Sequence, residues 1–156
     1  MDANNLESVY FIGAGGIGMS ALVRYFLSKG KKVAGYDRTP SELTEKLIEE
    51  GANIHYDDNV ELIPSDCCNP QTTLVVYTPA IPDTHSELSY FRKNGYSIQK
   101  RAQVLGMLTQ TEKGLCVAGT HGKTTTSTMT AHSEQNSYGH IQTQQQTGCT
   151  MMMVST

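Results

Sequence analysis

A chain of 156 residues is long enough for one ordinary domain, or for one domain and the start of another. Hydrophobic residues at 38% and charged residues at 17% are globular values that permit a core, and a net charge of −3 offers no basic excess for nucleic acid or an anionic membrane. The apolar run at 9–12 (Val-Tyr-Phe-Ile) is far too short for a signal segment or a membrane span. Cys67, Cys68, Cys116 and Cys149 show no CxxC spacing and no secretory context, so reduced thiols in a cytoplasmic protein are expected, with Cys116 a small core residue.

In chain order, Ser8–Ile12 reads as a buried strand. Ile17–Ser28 reads as a helix, because Ile17, Ala21, Leu22 and Tyr25 recur at helical spacing. Lys32–Tyr36 is a second strand with Asp37 at its carboxyl end. Ser41 caps a helix that runs to Glu50 and is stopped by Gly51. Residues 53–56 form a third strand, and Thr73–Tyr77 a fourth, ended by Pro79. A helix over Ser86–Lys93, a strand at 96–99, a helix at 101–109 and a sixth strand at 114–118 follow. This alternation predicts an α/β fold of Rossmann type, a parallel sheet with helices on both faces and ligands at the carboxyl ends of the strands. From Ser133 the periodicity fails. Gln142, Gln144, Gln145, Gln146 and Met151, Met152, Met153 offer no repeating apolar face, so residues 133–156 are expected to be disordered or loosely packed.

Gly13-Ala14-Gly15-Gly16-Ile17-Gly18 matches G-x-G-x-x-G between a strand and a helix. In such a turn Gly13 permits the sharp bend, Gly15 lets a pyrophosphate approach, and Gly18 lets helix and strand pack closely. The helix N-terminus then offers N–H groups and a partial positive charge to phosphate. Asp37, nineteen residues beyond Gly18, stands where a dinucleotide-binding protein places its ribose carboxylate. On its own the turn suits any diphosphate, and an NAD(P)-binding regulatory or oxidoreductase module is one alternative. A turn chosen only for packing is the bland one.

A second phosphate loop follows the strand ending at Ala118: Gly119, Thr120, His121, Gly122, Lys123, Thr124, Thr125. Lys123 could reach the β- and γ-phosphates of ATP, and the Thr124 hydroxyl could bind Mg²⁺. Val117 stands where strict Walker A spacing wants glycine, and an ordinary helix start capped by Thr120 or Thr124 is the plain alternative. The two loops in one chain are narrower evidence than either. Hydride chemistry does not need the second, and a simple kinase does not need the first.

Five stretches carry a resemblance. They are Phe-Ile-Gly-Ala-Gly-Gly-Ile-Gly-Met-Ser at 11–20, Gly-Tyr-Asp at 35–37, Tyr-Thr-Pro-Ala-Ile at 77–81, Arg-Ala-Gln-Val-Leu at 101–105 and Ala-Gly-Thr-His-Gly-Lys-Thr-Thr-Thr at 118–126. On these the chain resembles the Mur ligases of peptidoglycan synthesis, and among them those that join L-alanine to UDP-N-acetylmuramate. The likeness runs from about 8 to 132. It implies a UDP-sugar-binding Rossmann-like domain at 1–112, the start of an ATP-binding central domain at 113–132, and an aberrant tail at 133–156. The first turn would then hold a uridine diphosphate rather than NAD. Asp37 would face the uridine or its ribose, Thr78, Pro79, Ala80 and Ile81 would line the groove, and Arg101 would hold phosphate or sugar. The implied reaction is ATP-dependent amide formation through an acyl phosphate, with Lys123 and a Mg²⁺ on Thr124 stabilising the transferring phosphoryl group. A ligase that recycles murein tripeptide shares these loops and is a second alternative. The carboxylates that would complete the metal site, the adenine pocket and the alanine site are absent from the chain, so binding without turnover is the expectation.

His121 belongs to the second loop and could orient a phosphate. His55, His85, His132 and His140 share no metal-like spacing and receive no role. Tyr36, before Asp37, suits either base stacking or packing.

Overall fold

The computed structural model describes residues 5–111, 113–118, 140–146 and 149–155, with side chains described from 5 to 108. The chain divides into two compact units, Met1–Val104 and Leu105–Thr156.

The first unit is built on a five-stranded sheet in the order β3-β2-β1-β4-β5. Its strands are β1 (Ser8–Ile12), β2 (Lys32–Tyr36), β3 (Asn53–His55), β4 (Thr73–Tyr77) and β5 (Ser97–Lys100). Every neighbouring pair is parallel. All five residues of β1 are buried, as expected of the central strand of a sheet covered on both faces. Alternation along β1 sends Phe11 to α1 (Ile17–Ser28), where its ring lies 6.2 Å from that of Phe26. It sends Tyr10 and Ile12 to the opposite face, into a cluster with Leu88 and Phe91 of α3 (Ser86–Lys93). Ile63 and Cys67, from the single-turn 3-10 segments Val60–Leu62 and Ser65–Cys67 and their flanks, close that cluster. Helix α2 (Glu42–Glu49) starts at Ser41, whose hydroxyl accepts from the Thr44 N–H at 3.2 Å while the Thr44 hydroxyl accepts from the Ser41 N–H at 2.9 Å.

Helix α4 (Arg101–Thr111) grows directly out of β5, and the Lys100 N–H donates to Gln103 Oε1 at 2.8 Å. The division between the two compact units falls inside α4. The second unit holds β6 (Lys113–Ala118), β7 (His140–Gln146) and β8 (Cys149–Ser155) in an antiparallel sheet ordered β6-β8-β7. Two strands thus lie within 133–156, where the sequence reading expects no regular element. An antiparallel ladder is held by main-chain hydrogen bonds and asks for extended backbone rather than an apolar period, and glutamine-rich segments meet that requirement. Among the described residues no helix is long and apolar enough to cross a membrane.

Candidate functional site

The sheet order places β1 between β2 and β4, so the chain leaves β1 toward one side of the sheet and later returns on the other. That topological switch point lies at the carboxyl ends of β1 and β4, where open α/β sheets bind ligands. The glycine turn leaves β1 at this point. Gly13 takes φ +90, a left-handed conformation that other residues rarely adopt. The N–H groups of Gly13 and Ala14 both donate to the Tyr36 carbonyl, at 2.8 and 3.0 Å, which ties the turn to β2.

The three glycines of the motif answer three different constraints. Gly15 does not have a positive φ. It is confined by space, because a Cβ there would lie 2.8 Å from Thr44 Cγ2 and 2.9 Å from Asp37 Oδ2. The Gly15 N–H donates to Asp37 Oδ2 at 2.6 Å, and the Thr39 N–H donates to Asp37 Oδ1 at 3.2 Å. Asp37 therefore holds the turn itself as well as standing at its rim. At Gly18 the guanidinium of Arg101 lies against the glycine, and a Cβ there would overlap Arg101 Nη1.

Helix α1 begins at Gly16 with no side-chain cap and no acidic residue in its first turn. The positive end of its dipole is not offset by its own side chains, and Arg101 adds a full positive charge beside it. The turn Thr78–Pro79–Ala80–Ile81 closes the other side: the Ala80 N–H donates to Thr78 Oγ1 at 3.2 Å, and the Ile81 N–H to the Thr78 carbonyl at 3.2 Å. Thr78 Cγ2 and Ile81 Cδ1 lie 3.3 and 3.7 Å from where a Gly13 Cβ would be. Ile17 is 84% exposed at the mouth of this corner, beside exposed Gly16. Gly13, Ala14, Gly15, Gly16, Ile17, Gly18, Asp37, Thr78, Pro79, Ala80 and Arg101 are thus gathered at one end of the sheet.

The second loop (Gly119, Thr120, His121, Gly122, Lys123, Thr124, Thr125) lies outside the described residues, as do His132 and any side-chain role for Cys116. Among the described residues no group of three or more His, Cys, Asp and Glu is set to hold a metal ion. Cys67 is buried, Cys68 exposed, and both are free thiols; burial pushes the Cys67 thiol up to about 11.

Sequence reading gave His55 and His85 no role, yet both enter a polar cluster under the rim of β2 and β3. Glu87 is fully buried, and burial pushes its carboxyl up to about 7. Burial likewise pushes both imidazoles below their ordinary value. Burial alone would raise Asp58, but the Ser86 and Glu87 N–H groups, donating at 2.9 and 3.2 Å, together with nearby His85, hold it low. No local pattern announces this cluster, since Tyr10 meets His55 and Glu87 across 45 and 77 residues of chain.

Comparison with known proteins agrees with this architecture. Over 132 residues the chain is 79% identical to the UDP-N-acetylmuramate–L-alanine ligase of Phocaeicola vulgatus, covering 85% of this chain and 29% of that one. It is 65% identical over the same length to the enzyme of that name from Parabacteroides distasonis, with the same coverage. The chain spans less than a third of the length of these curated relatives. The crystal structure of the UDP-N-acetylmuramate–alanine ligase of Thermotoga maritima superposes with a TM-score of 0.71 at 32% identity, over 82% of this chain and 29% of that one. A murein peptide ligase of Psychrobacter arcticus superposes with a TM-score of 0.69 at 25% identity, over 84% and 27%. The family model described as the Mur ligase family, catalytic domain, matches residues 8–113, most of the chain, and the protein belongs to the Mur ligase family.

Proposed function

We infer that the first unit binds the nucleotide end of UDP-N-acetylmuramate, as the substrate-holding part of a ligase that adds L-alanine to it with ATP. One observation carries the reading: Arg101 lies against Gly18 at the uncapped start of α1, opposite the Thr78–Ile81 turn. The positive end of the α1 dipole and the Arg101 guanidinium together favour an anion at this helix start, and a diphosphate matches that charge. Asp37, at the end of β2, is the group for the uridine or its ribose. The names carried by relatives at 79% and 65% identity support the alanine-adding branch over tripeptide recycling. Lys123 and Thr124, which the resemblance assigns to the ATP phosphates and Mg²⁺, lie outside the described residues. On this reading the work is cytoplasmic.

Isothermal calorimetry tests the assignment. UDP-N-acetylmuramate should bind, and at 100-fold over its Kd it should stabilise the fold by about 2.7 kcal/mol. NAD should do neither. Binding of NAD with no response to the uridine nucleotide would overturn the assignment.

A further inference from the structure

Beneath the rim that carries Asp37, three side chains share too few hydrogens for the bonds that they face. The Tyr10 hydroxyl lies 2.7 Å from His55 Nε2 and 2.8 Å from Glu87 Oε2. Glu87 Oε1 lies 3.3 Å from His55 Nε2 and accepts from the Asn59 N–H at 3.3 Å. On the other side of the ring, His55 Nδ1 is 2.9 Å from the Asp57 carbonyl, which can only accept, so Nδ1 carries a hydrogen. A neutral His55 then presents a bare lone pair at Nε2. Tyr10 has one hydrogen to give and two acceptors, the Nε2 lone pair and an ionised Glu87. One additional proton satisfies all three groups, either on Nε2, as imidazolium beside carboxylate, or on Glu87, as acid beside neutral imidazole. Without it a buried acceptor is left unpaired.

The cluster is joined to the glycine turn by a short path. The Asp37 N–H donates to the His55 carbonyl at 3.0 Å, and Asp37 Oδ2 accepts from the Gly15 N–H at 2.6 Å. We propose that Tyr10, His55 and Glu87 hold one shared proton as a positioning device for the glycine turn, fixing the end of β3 and, through the His55 carbonyl, the setting of Asp37 and Gly15. Its consequence for ligand rests on the nucleotide-sugar reading above. When the proton leaves for solvent, Nε2 and the carboxylate compete for one hydroxyl, the end of β3 shifts, and the Gly15 amide turns from its position.

Among the described residues, the groups facing the device from other elements are few. Asp58 and His85 lie toward α3, with His85 Nδ1 3.2 Å from Asp58 Oδ1 but off the line of a hydrogen bond. The Tyr36 ring of β2 lies 5.9 Å from that of His55 and 4.6 Å from that of His85. Among the described residues, Asp57 beside His55, Cys67, and the Phe91 ring, 4.9 Å from that of Tyr10, complete the surroundings. Burial favours retention of the proton on Glu87, and the negative charge of Asp58 works in the same direction.

The test uses the 156-residue chain labelled with ¹⁵N, first without ligand. The Gly15 and Asp37 amide resonances should move together through one transition near the value to which Glu87 is pushed, about 7. Glu87→Gln, whose amide supplies a permanent N–H, should hold both resonances at their low-pH positions throughout. His85→Phe should leave the transition in place. Independent or absent movement in the native chain, or a transition removed by His85→Phe, overturns the proposal. Calorimetry with UDP-N-acetylmuramate is the second arm: affinity should fall roughly tenfold from pH 6 to pH 9 and stay flat in Glu87→Gln. Concerted amide titration without any nucleotide binding would sink the substrate reading and leave the device standing. Tight, pH-independent binding with no amide transition would do the reverse.

Discussion

At the scale of single residues, the glycines of the first turn are not interchangeable. Gly13 needs its positive φ, Gly15 needs space beside Asp37 and Thr44, and Gly18 makes room for Arg101. Gly15→Val would drive a branched side chain into the Asp37 carboxylate and the Thr44 methyl, 2.9 and 2.8 Å from the position of Cβ. Calorimetry should then find no binding of UDP-N-acetylmuramate, and an unchanged Kd would mean that the turn serves packing alone. Arg101→Ala removes a charged contact worth roughly 1.5–3 kcal/mol, so affinity should drop by about ten- to a hundredfold with little change in Tm. The turn itself was legible from six consecutive residues because its chemistry is local. The contact of Arg101 with Gly18 was not, because spacing along the chain says nothing about which helix start a distant arginine will reach. The Tyr10–His55–Glu87 cluster is hidden for the same reason: it exists only once β1, β3 and α3 are packed.

Among the elements, the contrast between two helix starts is instructive. Helix α2 has a reciprocal capping box from Ser41 and Thr44, whereas α1 starts at a bare glycine. The capped start of α2 is held by its own side chains, and on the nucleotide-sugar reading proposed above the uncapped start of α1 is the one that meets the anion. Thr44→Val keeps the methyl against Gly15 but deletes the hydroxyl that accepts from the Ser41 N–H and from Tyr56 at 3.0 Å. It should cost about 1 kcal/mol in chemical denaturation. Helix α3 is capped from a distance, its first N–H groups donating to Asp58, a partner that no local motif reveals. Apolar runs and punctuation located β1, β2 and β4 to the residue. The fifth strand, read at 96–99, begins one residue later, because the Tyr96 N–H closes the end of α3 on the Phe91 carbonyl at 3.2 Å. The third ends one residue early, since its pairing stops at Tyr36 with His55. The 3-10 turns were missed, as three-residue segments have no period to detect.

For the molecule as a whole, buried ionisable groups set an unusual dependence of stability on pH. Glu87 is raised from 4.5 to about 7, so its contribution is complete below its unfolded value and is lost as pH climbs through about 7. His55 and His85 are lowered, and Asp58 is lowered too; their contributions are present above their unfolded values and fade on acidification. The two histidines work against Glu87 in this window and do so in either protein, so the stability of the native chain relative to Glu87→Gln should fall between about pH 5 and pH 8, by on the order of 1–3 kcal/mol. Thermal melts of both proteins across that range decide it, and parallel curves would show that Glu87 is not the group responsible.

The strand order also constrains the birth of the protein. Ser8 of β1 pairs with Thr73 of β4, and their hydroxyls meet at 2.8 Å across 65 residues of chain. Until those intervening residues have been made, the most buried strand of the sheet has an open edge. At about 5–20 residues per second, the gap lasts roughly 3–13 s of translation. Throughout that interval Val-Tyr-Phe-Ile is an unpaired apolar edge, a site for a chaperone or for a neighbouring nascent chain. Nascent chains stalled with β4 still inside the ribosome should be protease-sensitive, and protection should arrive abruptly once Tyr77 emerges.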